Sequence, residues 1–494
     1  MVFNSVEFLI FYPIVLLLYF AVPHKIRWIP LLSASMYFYM VWNWKLVFLI
    51  LFTIIISFAS SHIIERYREK KALCRLCLIV TLVVCFGVLF FYKYFNFLSG
   101  TVTGIMRMFG SDVKDFTLDL ILPVGISFYT FQTLSYVIDV YRGQIKPETH
   151  FGYYMLYVTF FPQLVAGPIE RPENLIPQLH ADNKLTCENV SGGVRKMLIG
   201  FFKKVVVADL VAVYVNAVYN DVESANGFGV LMATVLFAVQ IYCDFSGYTD
   251  IAIGCSEVMG IKLMQNFNRP YVAKSIKEFW GRWHISLSSW FKDYLYIPLG
   301  GNRCAPWKRQ RNVLIVFLVS GLWHGSAWTF VLWGAIHGMY QVIGYYTNKP
   351  RAKMWEKLGV SQNAPWLTML KRFNTFALVC FAWIFFRANS ISDLGVLIGK
   401  LFTDWSFNIE YFRSAFDTMG LTLTGAIITV LSIIVMSQLD RGGLERDNSR
   451  SPALGGERTA VPSISSAYIV WMIALAWILL LMGDGASSFI YFQF

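Results

Sequence analysis

The chain has 494 residues, of which 56% are hydrophobic, 17% are aromatic and only 15% are charged. Soluble domains carry about 25% charged residues, and apolar runs such as 8–22 and 46–59 would be insoluble in water. This composition excludes a soluble globular protein and predicts an all-α, polytopic integral membrane protein. The net charge of +12 does not indicate a nucleic-acid partner, because basic residues collect in loops that the positive-inside bias assigns to the cytoplasm.

The apolar stretches predict how the chain is organised. Since a span needs about 20 apolar residues, we expect roughly 10–13 transmembrane and re-entrant helices in contact with membrane lipid. The run 8–22 predicts a retained first helix, because no basic residue precedes it and no small-residue cleavage pattern follows it. We predict one membrane domain over 1–494, made of N-terminal helices (1–120), a core (121–350) and C-terminal helices (351–494) with a polar loop at about 440–466 and a final helix at about 467–482.

The eight cysteines lie mostly inside or beside apolar runs, where cysteine behaves as a small hydrophobic residue. Cys74 and Cys77 form a CxxC pair, but the second ligand pair that a zinc site would need is not found nearby. The sequence therefore predicts no metal site.

Polar side chains are costly at membrane depth and are commonly functional there. In the first such region, Gln132, Ser135, Tyr136 and Asp139 share one face of a helix. This face predicts either the lining of a substrate chamber or a hydrogen-bonded seam between helices, and the sequence leaves both open.

The second region, 160–172, contains three prolines and a glycine, which exclude a regular helix. Its adjacent Glu170 and Arg171 indicate an ion pair that fixes the loop, and we favour this interpretation over a functional site. In the third region, Asp244, Ser246 and Asp250 interrupt an apolar run. Neither carboxylate can stay charged in lipid, so each must face protein, a partner charge or water.

The fourth region, 268–311, is basic and rich in tryptophan, and it predicts a cytoplasmic amphipathic element at the membrane surface. Its charge suits an anionic donor such as coenzyme A. An apolar run then leads to His324, which lies 13 residues beyond Arg311. A helical path would place His324 about 20 Å from Arg311, deep in the membrane.

Three of the seven histidines, His284, His324 and His337, lie in this part of the chain, and two of them follow a tryptophan. A single buried histidine is most often a hydrogen-bonded core residue. The clustering favours a catalytic role for His324 and a structural role for His337. For His284 it leaves both roles open. Further candidates for the path of the substrate or donor are Gln132, Asp244, Ser246, Asn268, Trp280, Arg282, Trp283 and Trp323.

These motifs resemble the bacterial branch of the membrane-bound O-acyltransferase family, and most closely its members in alginate O-acetylation. The resemblance covers essentially the whole chain, and it is carried by residues 1–5, 123–142, 166–172, 244–248, 283–288, 323–325 and 489–494. The family's invariant catalytic histidine matches His324, and its second conserved polar position matches His284. The resemblance also implies a ring of helices around a central tunnel.

The resemblance further implies the reaction and the partners. The donor would be a cytoplasmic thioester, acetyl-CoA or an acyl carrier, with no permanently bound cofactor. The acceptor would be an extracytoplasmic polysaccharide, served by a separate SGNH-like acetyltransferase with a Ser-His-Asp site. The location would be the inner membrane of a bacterial cell. D-alanyl transfer to teichoic acid is the related alternative.

We expect a neutral His324 to remove the proton from a hydroxyl that attacks the thioester, with His284 orienting the donor or bonding the oxyanion. An acyl-histidine relay is a variant of this mechanism. A polysaccharide transporter or flippase would also need polar residues in the membrane, although the paired broken helices of two related halves are not evident in the sequence. A non-catalytic scaffold for a cell-surface assembly is the third alternative. The acceptor polymer and the oligomeric state stay undetermined.

Overall fold

The computed structural model describes residues 1–449, and every regular element within that range is helical. The all-α class is therefore confirmed. The predicted final helix and the predicted polar loop beyond residue 449 lie outside the described residues. The described chain comprises two compact units, one formed by Met1–Arg195 with Ala252–Met264 and the other by Lys196–Ile251 with the described residues from Gln265 onward. The predicted division at residues 121 and 350 stays a prediction.

Ten helices begin in the first unit. They are α1 (Val6–Ala21), α2 (Trp28–Met40), α3 (Val47–Arg66), α4 (Lys71–Leu89), α5 (Phe95–Met108), α6 (Ile126–Arg142), α7 (Phe151–Thr159), α8 (Phe161–Leu164), α9 (Pro172–His180) and α10 (Cys187–Phe201). A π-helical turn, Phe90–Tyr94, connects α4 to α5.

Ten more helices begin among the described residues of the second unit. They are α11 (Asp209–Tyr219), α12 (Gly227–Val258), α13 (Ile276–Trp280), α14 (Ile285–Phe291), α15 (Pro306–His324), α16 (Trp328–Lys357), α17 (Pro365–Arg387), α18 (Ile391–Thr403), α19 (Ile409–Met419) and α20 (Leu423–Ser449). Two π-helical turns, Phe202–Ala208 and Lys292–Tyr296, precede α11 and follow α14.

Five helical segments among the described residues are long and apolar enough to cross a membrane, and α1 is a shorter apolar helix. The five are Trp44–Arg66, Lys71–Met108, Gly227–Val258, Pro365–Arg387 and Leu423–Arg441. The chain is therefore a multi-pass membrane protein. The many exposed leucine, isoleucine and phenylalanine side chains on α1, α3 and α4 are those that lipid would cover.

Helix α20 extends to Ser449, so the first ten residues of the predicted polar loop are helical. The physical reason is that polar composition alone does not end a helix, whereas proline does.

Two of the polar regions identified in the sequence lie in the first unit, and their side chains make hydrogen bonds within it. Gln132 on α6 donates a hydrogen bond to the main-chain oxygen of Tyr157 on α7 at 2.7 Å. This bond joins two helices, and a place of Gln132 on the substrate path stays a prediction. Glu170 is fully buried. It accepts hydrogen bonds from Asn174 Nδ2 at 2.7 Å and from the main-chain nitrogen of Met264. These bonds fix the proline-rich turn.

Close packing of α15 on α16 depends on two glycines that face each other. A Cβ at Gly321 would lie 2.3 Å from the main-chain oxygen of Phe330, and one at Gly334 would lie 2.3 Å from that of Phe317. Small residues at such crossings let two helix backbones approach closely. This contact sets the position of the C-terminal end of α15, where His324 lies.

We expect Gly321→Ala to destabilise the protein by about 1–3 kcal/mol, the range typical of overpacking, because the added methyl group meets main-chain atoms that cannot rotate away. Gly344→Ala on α16 is the matched control, since a Cβ there has no heavy atom within 4 Å. The measurement is thermal unfolding of the purified variants in detergent. Equal melting temperatures for both variants would contradict this account of the helix contact.

Candidate functional site

His324 is the last residue of α15, and only 3% of its surface is exposed. Three aromatic side chains surround its ring at nearly perpendicular angles. The centroid distances are 4.9 Å to Trp323, 5.0 Å to Trp333 and 5.4 Å to Phe386. Edge-to-face packing of this kind restricts the orientation of a ring. The fold therefore holds one imidazole in a fixed, water-poor position.

His284 lies beside His324, with ring centroids 6.3 Å apart. It is fully buried, and it packs against Phe245 of α12 at 4.7 Å and against Trp323 at 5.8 Å. Its Nδ1 is 3.1 Å from Asn266 Oδ1. Burial lowers the pKa of His284 to about 3, so its imidazole is neutral. One small bound group could contact both histidine rings.

His337 is also fully buried, and its ring contacts Trp333 at 5.0 Å, as the ring of His324 does. Trp280 Nε1 donates a hydrogen bond to His337 Nδ1 at 3.2 Å. Phe279 and Phe317 stack on the same ring. These contacts hold His337 in the aromatic core, and its structural role stays a prediction.

Trp283 and Trp280 belong to the aromatic core next to the two histidines. Trp283 stacks on Phe279 at 5.5 Å and contacts Trp383 at 5.1 Å. Trp280 packs against Trp333 at 5.7 Å. This core supports the histidine pair from the side of α13 and α17.

Arg282 and Asn268 form a clamp at the edge of the same unit. Arg282 pairs with Glu278 at 2.9 Å and donates from Nη1 to the main-chain oxygen of Asn268 at 3.1 Å. The main-chain nitrogen of Asn268 donates to the main-chain oxygen of Arg282 at 2.9 Å. The clamp joins the segment before α13 to the residues that lead into His284.

Asp244 lies in a buried cluster of ion pairs rather than against the histidines. Lys204 Nζ is 2.7 Å from Asp244 Oδ1 and 2.9 Å from Asp209 Oδ1. The neighbouring Lys203 pairs in the same way with Asp250 and Asp440 at 2.7 and 2.6 Å. The lysines thus supply the partner charges that the sequence required for the carboxylates of α12. Ser246 is buried on the same helix.

The second unit also presents cationic side chains to solvent. The exposed ones in the segment 268–311 are Lys274, Lys277, Lys292, Arg303, Lys308 and Arg311. Helix α15 begins within this basic segment and ends at His324. Among residues 1–449, no group of three or more His, Cys, Asp or Glu side chains could hold a metal ion.

A family model described as MBOAT, membrane-bound O-acyltransferase family, matches residues 31–383. The chain belongs to the MBOAT family. As a member of that family it is an O-acyltransferase, which decides against the transporter and scaffold alternatives.

Named relatives extend the comparison to the ends of this MBOAT chain. It is 34% identical to a Pseudomonas putida protein called "Probable alginate O-acetylase AlgI", over the full length of both chains. It is 37% identical to a Helicobacter pylori "Peptidoglycan O-acetyltransferase", over 75% of this chain and 73% of that protein. Identity to a Bacillus subtilis "Teichoic acid D-alanyltransferase" is 27%, over 59% of this chain and 78% of that protein.

The structure of this MBOAT protein brings His324, His284 and Trp323 together, with Trp280, Trp283 and His337 in the adjoining core. Gln132 belongs to the first unit, and Arg282 and Asn268 form the clamp at the edge. Sequence reasoning did not select Phe245, Asn266 and Phe386, which contact the pair, or Lys203 and Lys204, which pair with the carboxylates of α12. Only the two lysines carried a signal, because they interrupt an apolar run.

Proposed function

We propose that this protein transfers an acetyl group from a cytoplasmic thioester to a hydroxyl for the O-acetylation of an extracytoplasmic polysaccharide. The observation that carries the proposal is the buried, aromatic-walled pair of His324 and His284 in an O-acyltransferase chain. A neutral imidazole in such a site is suited to accept a proton from a hydroxyl.

The named relatives support acetyl as the transferred group. The alginate O-acetylase of Pseudomonas putida matches this chain from end to end, whereas the D-alanyltransferase of Bacillus subtilis matches 59% of it. The peptidoglycan O-acetyltransferase of Helicobacter pylori supports the same group on a different polymer. D-alanyl transfer is therefore the second candidate, and the acceptor is a polysaccharide or a cell-wall polymer.

The exposed basic residues support a donor with phosphates. Arg303, Lys308 and Arg311 lie at or near the start of α15. Its 19 residues give a length of about 28 Å, so a single helix connects the cationic surface to His324. We assign this surface to the cytoplasm by the positive-inside bias, where acetyl-CoA or an acyl carrier would bind.

In the proposed reaction, a hydroxyl oxygen attacks the carbonyl carbon of the acetyl thioester. His324 accepts the hydroxyl proton as the new C–O bond forms, and the C–S bond then breaks. The proton passes to the departing thiolate, so an ester and a free thiol result and His324 is again neutral. A positioned general base of this kind contributes about 10²- to 10⁴-fold to a rate.

We further propose that the protein works in the inner membrane of a bacterium. An extracytoplasmic SGNH-like acetyltransferase would pass the acetyl group on to the polymer. A thioester in the cytoplasm and an acceptor outside the cell lie on opposite sides of the membrane, so the transfer requires a protein that spans it. The five candidate spans support this requirement.

The donor assay tests this proposal. Membranes containing the protein are given acetyl-CoA labelled in the acetyl group, and in parallel a labelled D-alanyl carrier protein. We expect label from acetyl-CoA to appear in alkali-labile ester linkage. Transfer from the D-alanyl carrier alone would overturn acetyl as the group, and transfer from neither donor would overturn the proposed function.

A further inference from the structure

Asn266 contacts His284 and the turn that carries it, although 18 positions separate the two residues in the chain. Asn266 is 1% exposed, and its Oδ1 lies 3.1 Å from His284 Nδ1. The same oxygen is 3.2 Å from the main-chain nitrogen and 2.9 Å from Oγ of Ser286. The main-chain oxygen of Asn266 accepts from Ile285 N at 2.9 Å.

These contacts determine which ring nitrogen of His284 carries the proton. A main-chain N–H can only donate, so the Asn266 side-chain atom that faces Ser286 N is the carbonyl oxygen rather than the amide nitrogen. A carbonyl oxygen only accepts, and therefore His284 Nδ1 is the donor in the bond between them. In the neutral imidazole, Nε2 then carries no proton and has the lone pair that can accept a hydrogen bond.

The backbone of His284 has a strained conformation that Asn266 stabilises. His284 has φ 45° and ψ 54°, in the left-handed region that costs a non-glycine residue about 1–2 kcal/mol. Strain of this kind persists where surrounding contacts over-determine the conformation, and it concentrates at functional sites. Asn266 provides such contacts on both sides of the peptide that follows His284.

The side chains that contact the ring of His284 include Phe245 from α12 and Trp323 from α15, which are uncharged, and the titratable His324. Asp244, next to Phe245, pairs with Lys204. Burial keeps His284 neutral.

We propose that Asn266 is a positioning residue that holds His284 with its proton on Nδ1, so that Nε2 accepts a hydrogen bond from an N–H or O–H group of the bound substrates. This proposal rests on the proposed acyl transfer and refines it. A neutral His284 in this tautomer orients a substrate and does not donate to the oxyanion.

The test uses three variants of the full-length protein in membranes. Asn266→Ala removes the acceptor for Nδ1. Asn266→Asp keeps an acceptor and adds a negative charge, which favours the protonated imidazole and raises the pKa of His284. Ser286→Ala is the matched control, because it removes a bond to the same Asn266 oxygen without removing the partner of His284. The readout is the pH profile of acyl transfer at equal folded abundance.

We expect Asn266→Ala to lower transfer about 10- to 100-fold, the effect of losing one buried hydrogen bond to substrate, and Ser286→Ala to stay near the wild-type rate. Asn266→Asp should keep activity at high pH and lose it at a higher pH than the wild type as pH falls, because a protonated Nε2 no longer accepts. Wild-type activity for Asn266→Ala, or an unshifted profile for Asn266→Asp, would overturn the proposal.

A second measurement does not depend on catalysis. Nitrogen NMR of ¹⁵N-histidine-labelled protein, with His284→Gln to identify the signal, distinguishes a protonated Nδ1 from a protonated Nε2. A protonated Nδ1 supports the proposal even if the protein transfers an acyl group other than acetyl. A protonated Nε2 with an unprotonated Nδ1 overturns it. Absence of any transfer by the wild-type protein would instead contradict the proposed function.

Discussion

His324→Ala is expected to lower acyl transfer by about 10²- to 10⁴-fold, the range that a positioned general base contributes. The alanine variant keeps the apolar walls made by Trp323, Trp333 and Phe386 but removes the group that accepts the hydroxyl proton. The measurement is the initial rate of ester formation from labelled donor in membranes with equal amounts of folded protein.

The matched control for this variant is His337→Gln. His337 is as buried as His324, contacts the same Trp333 ring and accepts a hydrogen bond from Trp280. Its contacts are structural, and the glutamine carbonyl can accept the same bond, which is worth about 0.5–1.5 kcal/mol. We expect a modest loss of stability and near-normal transfer. A strong loss of transfer in His337→Gln, together with an active His324→Ala, would show that His324 is not the catalytic histidine.

Lys204→Met is expected to destabilise the protein by about 3–5 kcal/mol, the cost of removing one partner from a buried ion pair. Lys204 is 3% exposed and compensates Asp244 and Asp209 at once. Without the ammonium group, two carboxylates in an apolar setting lose their counter-charge. The measurement is thermal or denaturant unfolding of purified protein in detergent.

Two further variants make this result specific to burial and charge. Arg413→Met removes a cation from an exposed pair with Asp417, whose side chains are 83% and 73% exposed, and exposed pairs contribute about 0–1 kcal/mol. Adding Asp244→Asn to Lys204→Met removes one of the stranded charges and should restore part of the stability. Equal effects of Lys204→Met and Arg413→Met would show that the buried cluster does not stabilise the fold.

Much of the fold follows from sequence because lipid imposes a simple constraint. Every backbone polar group in the hydrocarbon must be satisfied internally, so long apolar runs predict helices, as in α3, α4 and α12. The helical conformation of residues 440–449 in α20 was not predictable from polarity, because polar composition alone does not end a helix.

His284 and His324 were each predictable as candidate site residues, but their proximity was not. His284 and His324 are 40 positions apart, and only the αL turn at His284 together with the packing of α15 brings the rings to 6.3 Å. Asn266 gave no signal, because a single asparagine in a polar stretch has many possible partners. Asp244 drew attention as a buried charge, and its partner Lys204 lies in another element that sequence spacing does not connect to it.

The measurement that tests the central claim most directly is the alkali-labile acetate on the extracellular polymers of cells with the wild-type gene, the His324→Ala variant or a deletion, at equal membrane abundance of the two proteins. The account predicts that acetate is lost in both the deletion and His324→Ala, and the polymer that loses it identifies the acceptor. Acetate lost only in the deletion would contradict catalysis by His324. Unchanged acetate in all three strains would contradict acetyl transfer itself.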